Sequence, residues 1–281
     1  MSTLYLVATP IGNLEDISAR ALRVLKDVSL IAAEDTRHTG KLLNHFGIHT
    51  PVISYHEHNK LTRLERVLEA LAQGDVALVS DAGTPALNDP GYELVRAVIE
   101  AGYSVSPIPG ASAPVAALAA SGLPSDTFLY LGYLPRKPTE RRRLLEQVAL
   151  LRHTLVFLET PHRLISSLGD LLDILGDRQA AVARELTKLH EEIFRGSLSQ
   201  ALQHFKSSPP RGEFTLVLAG CPQEASRWPV EHLQQVLSQR LQAGEAPSQI
   251  ARGVANEAGW SKKEVYALLT QIRRSKKEEM L

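Results

Sequence analysis

The chain of 281 residues is long enough for about two domains, and its 31 Lys and Arg balance 31 Asp and Glu, so bulk charge identifies no partner. With 44% hydrophobic and 22% charged residues, 18 Gly and 16 Pro, the composition excludes disorder, collagen and coiled coil and suits a globular chain with a sizeable core. The stretch 101–125 has no acidic or basic side chain, but Pro107, Pro109, Pro114 and Pro124 interrupt it, so no membrane span is expected.

The start MSTLYLVATP has no basic residue before its apolar run and reads as a strand rather than a secretory leader. From there to about residue 121, short apolar runs alternate with segments of helical period, the pattern of an open α/β sheet with crossover helices. Strands are expected over 4–8, 29–33, 52–55, 76–80 and 104–108, mostly parallel. A helix over 16–26 would put Ile17, Ala21, Val24, Leu25 and Val28 on one face, and another over 61–72 is closed by Gly74.

Prolines 135 and 138 with Arg136 and Lys137 mark 134–139 as a linker. A second α/β unit follows, with strands over 154–159, 180–186, 191–195 and 213–219 and helices over 141–151, 162–175 and 199–205. The strands at 180–186 and 191–195 are too close for a crossover, so they should be antiparallel and the second sheet mixed. Beyond Cys221 only helices are expected, over 229–242, 247–257 and 261–273, the last two joined through Gly259 as in a helix-turn-helix. The division is therefore 1–134, 135–222 and 225–281. The single Cys221 allows neither an internal disulfide nor a cysteine zinc site and suits a reducing cytoplasm.

Ligands of α/β sheets collect beyond the carboxyl ends of the strands, and four loops there are unusual. The first, Thr9-Pro10-Ile11-Gly12-Asn13, has a glycine for close backbone approach and an asparagine suited to capping, though a plain turn has the same composition. The second, from Glu34 to Gly40, sets two acids before Arg37 and His38. A helix cap explains Asp35 but not the cluster, and a guanidinium suits phosphate oxygens. The third, SDAGTPALNDPG over 80–91, is more elaborate than a connection requires. The fourth, Pro109 to Ala113, opens a helix of small side chains that admits a flat ligand or simply packs tightly. Dinucleotide, triphosphate-binding and nucleophile-elbow motifs are absent. His56-Glu57-His58 lacks a third ligand, so no metal is expected.

Taken in order, TPIGNL (9–14), AAEDTRHTGKLL (32–43), SDAGTPALNDPG (80–91), PGASA (109–113), FLETPHR (157–163) and ARELTK (183–188) closely resemble the ribosomal RNA small-subunit methyltransferase I family, within the tetrapyrrole-methylase-like superfamily. The resemblance spans roughly residues 3–220, and more loosely the helical tail. It implies two α/β domains with S-adenosylmethionine in the cleft between them, a small C-terminal helical extension and a homodimer. It also implies methyl transfer to a cytidine ribose 2′-hydroxyl in the decoding region of small-subunit ribosomal RNA. Carried over by residue, Pro10, Ile11, Gly12, Asp81, Gly83, Thr84, Ser112 and Ala113 would line the cofactor cleft, with Leu158, Glu159 and Leu186 opposite.

A ribose hydroxyl is a poor nucleophile until its proton is shared, so a basic group is needed nearby. Asp35, His38, Glu185 and Lys188 are candidates, Glu185 and Lys188 reading equally as a mutual ion pair, while Arg37 would act on the substrate. RNA contacts must come from local charge: Arg37, His38, Arg136, Lys137 and Arg163, the run Arg141 to Arg143, and near the C-terminus Lys262, Lys263, Arg273, Arg274, Lys276 and Lys277. Charge runs are also ordinary solvated helix faces, and three consecutive arginines cannot share one face. Two other readings stand beside this one: a small-molecule tetrapyrrole methylase of the same fold, and a non-catalytic nucleic-acid-binding regulator built on the C-terminal helices.

Overall fold

The computed structural model describes residues 2–57, 59–207, 209–222, 228–243, 245–260 and 262–278, without the side chains at 60, 61, 252, 256, 257, 262 and 273–278. His58 and the side chains of Lys262, Arg273, Arg274, Lys276 and Lys277 therefore lie outside the described residues. The first sheet contains β1 (Thr3–Val7), β2 (Leu30–Ala33), β3 (Val52–Ser54), β4 (Val76–Val79) and β5 (Ser104–Ile108) in the order β3-β2-β4-β1-β5, all parallel. These strands are short and apolar because both faces are covered. The two-residue period sorts them: Val7, Ile31, Ala77 and Val79 join one core with α1 (Ala19–Asp27) and α2 (Thr36–His45). Leu4, Ala32, Val76 and Leu78 join the other with α3 (Lys60–Leu71) and α4 (Tyr92–Glu100).

The expected helix over 16–26 begins three residues later. A short 3-10 turn occupies Leu14–Asp16, and the Ser18 Oγ, accepting from the Ala21 N–H at 3.1 Å, caps α1. Strand ends shift by one or two residues in the same way, and 185–186, expected to continue a strand, form a turn in which Glu185 has φ 49°.

The second sheet is β6 (Phe128–Tyr133), β7 (Thr154–Glu159), β8 (Gln179–Arg184), β9 (Glu192–Ser197) and β10 (Phe214–Leu218) in the order β6-β7-β10-β8-β9. It is mixed: β6 runs parallel to β7 and the other pairs are antiparallel, β8 with β9 among them. Strand β6 was not expected. It lies inside 1–134, yet its hydrogen bonds run to β7, so the end of the expected first unit supplies the edge of the second sheet. Its alternation explains why: Leu129 and Leu131 pack into one core and Tyr130 into the other.

Helix α5 (Ala113–Ser121) follows β5 in the chain but packs Ala117 and Leu118 on Val156, Ala181, Ala183 and Val217 of the second sheet. The opposite face carries α6 (Pro138–Val148), α7 (Pro161–Leu175) and α8 (Leu198–Ser207). Pro138 therefore opens α6 rather than stiffening a linker, as proline can in a first helical turn. After it come α9 (Val230–Gln242), α10 (Pro247–Ala258) and α11 (Lys262–Glu278), packed around Leu233, Leu237, Ile250, Val254 and Val265. Gly259, at φ 68°, ends α10 in the left-handed conformation. No helix among the described residues is long and apolar enough to cross a membrane.

Candidate functional site

In the order β3-β2-β4-β1-β5 the chain leaves β1 toward one edge and β4 toward the other, so their carboxyl ends flank a topological switch point. The loops after these two strands are tied together there. The Thr9 N–H donates to the Gly83 carbonyl at 2.9 Å, the Gly83 N–H returns to the Thr9 carbonyl at 3.0 Å, and the Thr9 hydroxyl donates to the Ser80 carbonyl at 3.1 Å. The second loop is tied to the third through carboxylates: Asp81 Oδ1 accepts the Asp35 N–H at 3.0 Å, and Glu34 Oε2 accepts the Asp81 N–H at 3.3 Å.

The two sheets meet at two glycines. A methyl group on Gly12 would run into Lys188 Cγ and Thr187 Oγ1, and one on Gly132 would run into the Asn88 side chain. The non-glycine residues with positive φ among those described are Ala86, Asn88, Glu185 and Thr187, all in the two loops that make these contacts. Left-handed backbone at such residues is unfavourable and persists only where surrounding contacts hold it.

Between the sheets lies a partly open cavity of about 230 Å³. Ile11, Asp81, Gly83, Thr84, Ser112 and Ala113 line it from the first sheet's loops, and Leu158, Glu159 and Leu186 from the second sheet. These are nine of the residues expected around a cofactor. Pro10 and Gly12 do not line it: Pro10 borders a smaller cavity of about 170 Å³ with Leu14, His38 and Asp81, and Gly12 serves the contact with 187–188. Sequence reasoning missed Tyr130 and Tyr133, because β6 was not recognised, and Glu34, Asp89, Phe214 and Thr215. The alternation FLYLGY was the available signal for the tyrosines.

Glu34, Asp81 and Asp89 all border this cavity. Burial, then the charge of Glu34 and that of Asp81, pushes the Asp89 carboxyl up to about 6 despite a hydrogen bond from Ser80. Burial also pushes Glu34 up, with Asp81 and Asp35 adding repulsion against a backbone hydrogen bond from Asp81 and the attraction of His56. Burial pushes the Tyr130 hydroxyl up to about 12. Mutually repelling carboxylates in a half-buried cavity suit a cationic guest, which would relieve the repulsion.

Three of the candidate proton acceptors are already engaged, Glu185 and Lys188 in the mutual ion pair that is their other reading. Asp35 caps α2 through the Arg37 N–H at 2.8 Å and holds the guanidinium with both oxygens, at 3.2 and 2.9 Å. Those bonds hold its carboxyl far below the usual range, which makes it a poor base. Glu185 and Lys188 pair at 2.9 Å, and Lys188 also reaches Glu213 at 3.1 Å. Burial disfavours both charges, but the pair and the Glu213 N–H outweigh it, lowering Glu185 and raising Lys188. Neither borders the cavity, so the pair fixes the turn that meets Gly12 and offers no free base.

The Arg37 side chain is 89% exposed. With Glu34, Asp35, Thr36, Ser54 and His56 it forms an open pocket of about 340 Å³. Arg163 is turned inward and is not a surface phosphate contact: it pairs with buried Glu159 at 2.6 Å and donates to the Leu134 carbonyl at 2.9 Å and the Thr160 hydroxyl at 3.1 Å. Glu159 also accepts from Ser167 at 2.5 Å, so this carboxylate braces β7 against α7. The arginine run divides as well, since Arg141 is buried against Asp170 while Arg142 bridges Asp170 and Asp173. Arg136, Lys137 and Lys263 remain on the surface, Lys137 paired with Glu140 at 3.1 Å. The described residues contain no group of three or more His, Cys, Asp and Glu able to hold a metal ion.

A family profile described as Tetrapyrrole (Corrin/Porphyrin) Methylases matches residues 3–202. Among curated relatives, a protein of Halalkalibacterium halodurans named "Ribosomal RNA small subunit methyltransferase I" is 48% identical, covering 96% of this chain and 95% of its own length. The protein of the same name from Escherichia coli O157:H7 is 46% identical, with 95% of each chain covered. Solved structures share the fold at low identity: a uroporphyrin-III-C-methyltransferase from Thermus thermophilus has a TM-score of 0.54 at 21% identity, covering 77% of this chain and 94% of that one. A hypothetical protein from Aeropyrum pernix K1 has a TM-score of 0.61 at 18% identity, covering 78% of this chain and 84% of that one.

Proposed function

Because the chain belongs to the tetrapyrrole methylase family, on the branch of the ribosomal RNA small subunit methyltransferase I proteins, we propose that it methylates small-subunit ribosomal RNA. The donor is S-adenosylmethionine and the acceptor is the ribose 2′-hydroxyl of a cytidine in the decoding region. The observation that carries the reading is the cavity at the switch point, where loops from both sheets converge and the Glu34, Asp81 and Asp89 carboxylates repel one another.

The residues present fit the cofactor. Asp81 suits its ammonium, the Asp89 carboxylate favours the sulfonium charge, and Ile11, Leu158 and Leu186 offer apolar surface to its adenine. When bound, it supplies a methyl group on a positively charged sulfur. The protein's part is to hold the acceptor in line and exclude water, since positioning supplies much of the rate of such a displacement. The bridge between Thr9 and Gly83 and the Gly12 contact with Thr187 and Lys188 fix the walls that do this.

The RNA is held by surface cations, Arg37, Arg136, Lys137 and Lys263 among the described side chains, with His38 bordering the smaller cavity. The working form is a cytoplasmic homodimer. The test is incubation with tritiated S-adenosylmethionine and small ribosomal subunits from a strain lacking this protein, followed by nuclease mapping. Alkali-resistant label at one cytidine is the expected result. Cofactor binding without label on subunits or free RNA would favour a small-molecule methylase, and absence of cofactor binding would favour the regulator.

A further inference from the structure

Glu34 is the residue common to the cavity between the sheets and the open pocket formed by Asp35, Thr36, Arg37, Ser54 and His56. It stands at the end of β2, so one carboxylate faces the proposed cofactor space and the solvent-side pocket together. The pocket is an open depression of about 340 Å³ on the solvent side. Its lining joins hydrogen-bonding groups to an exposed guanidinium, the combination a sugar and its phosphate require. The smaller cavity beside Pro10 also adjoins the cofactor space, through Asp81, but it has about 170 Å³ and apolar Pro10, Leu14 and Leu42 in its walls.

We propose that the pocket between Glu34, Ser54, His56 and Arg37 seats the acceptor ribose and an adjoining phosphate, and that Glu34 takes the proton of the attacking hydroxyl. This rests on the methyltransferase reading above. In the step, the hydroxyl oxygen forms a bond to the methyl carbon as the carbon–sulfur bond breaks, and the sulfur keeps that electron pair. The O–H bond breaks toward the Glu34 carboxylate. A sulfonium cation and a carboxylate anion become a thioether and a carboxylic acid, so charge is annihilated and no further reactant is needed.

The groups facing Glu34 prepare it for this. Asp81 and Asp89 from the β4 loop and Asp35 from its own loop disfavour its charge, whereas His56 beyond β3 and the Asp81 N–H favour it. Burial adds to the first set, so the carboxylate is more basic than an exposed one. Arg37 and Asp35, by contrast, already neutralise each other, which leaves the guanidinium's outward face for a phosphate.

Three measurements on the full chain test the assignment: S-adenosylmethionine affinity by calorimetry, subunit binding by sedimentation without cofactor, and single-turnover methyl transfer to unmodified small subunits. Glu34→Gln is expected to bind cofactor within about threefold of the parent and to transfer methyl at least about 100-fold more slowly, with partial recovery in Glu34→Asp. Ser54→Trp, which fills the pocket, is expected to weaken subunit binding about tenfold at unchanged cofactor affinity. Undiminished transfer by Glu34→Gln, or cofactor affinity lost in step with transfer in both variants, would overturn the assignment. Parent protein that binds cofactor but labels no subunit would overturn the RNA reading itself, an outcome separate from labelled subunits with indifferent variants.

Discussion

Asp35 with Arg37 and Asp170 with Arg141 are the same two side-chain types in opposite settings. At the start of α2 the guanidinium is 89% exposed, and at the seam of α6 and α7 it is 4% exposed against a carboxylate at 7%. The exposed pair is screened and holds little of the fold, so its arginine is available to another anion. In the buried pair each charge depends on the other, and Asp170 is further satisfied by Arg142 at 2.7 Å. Equal chemistry thus serves recognition at one end of the molecule and cohesion at the other, according to solvent access.

Removing the buried arginine should have the largest effect on folding. Arg141→Ala leaves Asp170 buried with a single partner and should lose about 3 kcal/mol in urea unfolding. An unchanged midpoint would erase the distinction between the pairs. Next comes Gly12→Ala, whose added methyl meets Lys188 and Thr187. We expect S-adenosylmethionine affinity to fall about tenfold, near 1.4 kcal/mol, as the loops part.

Asp89→Asn tests the mutually repelling carboxylates of the cavity. The folded-state pKa of Asp89 is raised from 3.8 to about 6, so its ionisation begins to oppose folding as pH rises past 3.8, opposes it fully above about 6, and the opposition disappears as pH falls again. The variant should therefore melt higher than the parent at pH 7.5, with the difference gone by about pH 4, and should bind the cationic cofactor more weakly at pH 7.5. The smallest effect on folding is expected for Arg37→Ala, within about 0.5 kcal/mol of the parent. Cofactor affinity should be retained while transfer to subunits falls, and the salt dependence of subunit binding should lose about one unit of slope. An unchanged transfer rate would remove Arg37 from the site.

Much of this was legible because it depends on short-range pattern. The apolar runs located nine of the ten strands among the described residues, and the loops beyond them contain nearly all of the first sheet's cavity residues. Strand β6 escaped because its register shifts between Tyr130 and Tyr133, around Gly132 at φ 66°, and the prolines after it read as a linker. The proton acceptors were legible only in part: the Glu185–Lys188 pair was one of the readings the sequence offered, whereas the Asp35–Arg37 and Lys188–Glu213 contacts were not. Asp35, Glu185 and Lys188 have suitable side chains, but their partners, Arg37 and Glu213 among them, are set by turns whose geometry no periodicity encodes. Arg163 likewise looks like a surface cation until Glu159, four residues earlier at the end of β7, draws it inward. Glu34 was visible within its cluster, but its place between two cavities depends on loops brought together across the sheet.

Helix α5 belongs to the first sheet by connection and to the second by packing. The chain therefore crosses from one body to the other over residues 109–112, and a cut there would leave each sheet with its own helices, whereas a cut at 134 would strip the second sheet of its edge strand and of the helix on its inner face. Ser112, at the end of that crossing, is also a wall of the cavity. The end of the crossing is thus also part of the cavity wall, so the connection between the two bodies and the space between them cannot be altered independently at Ser112.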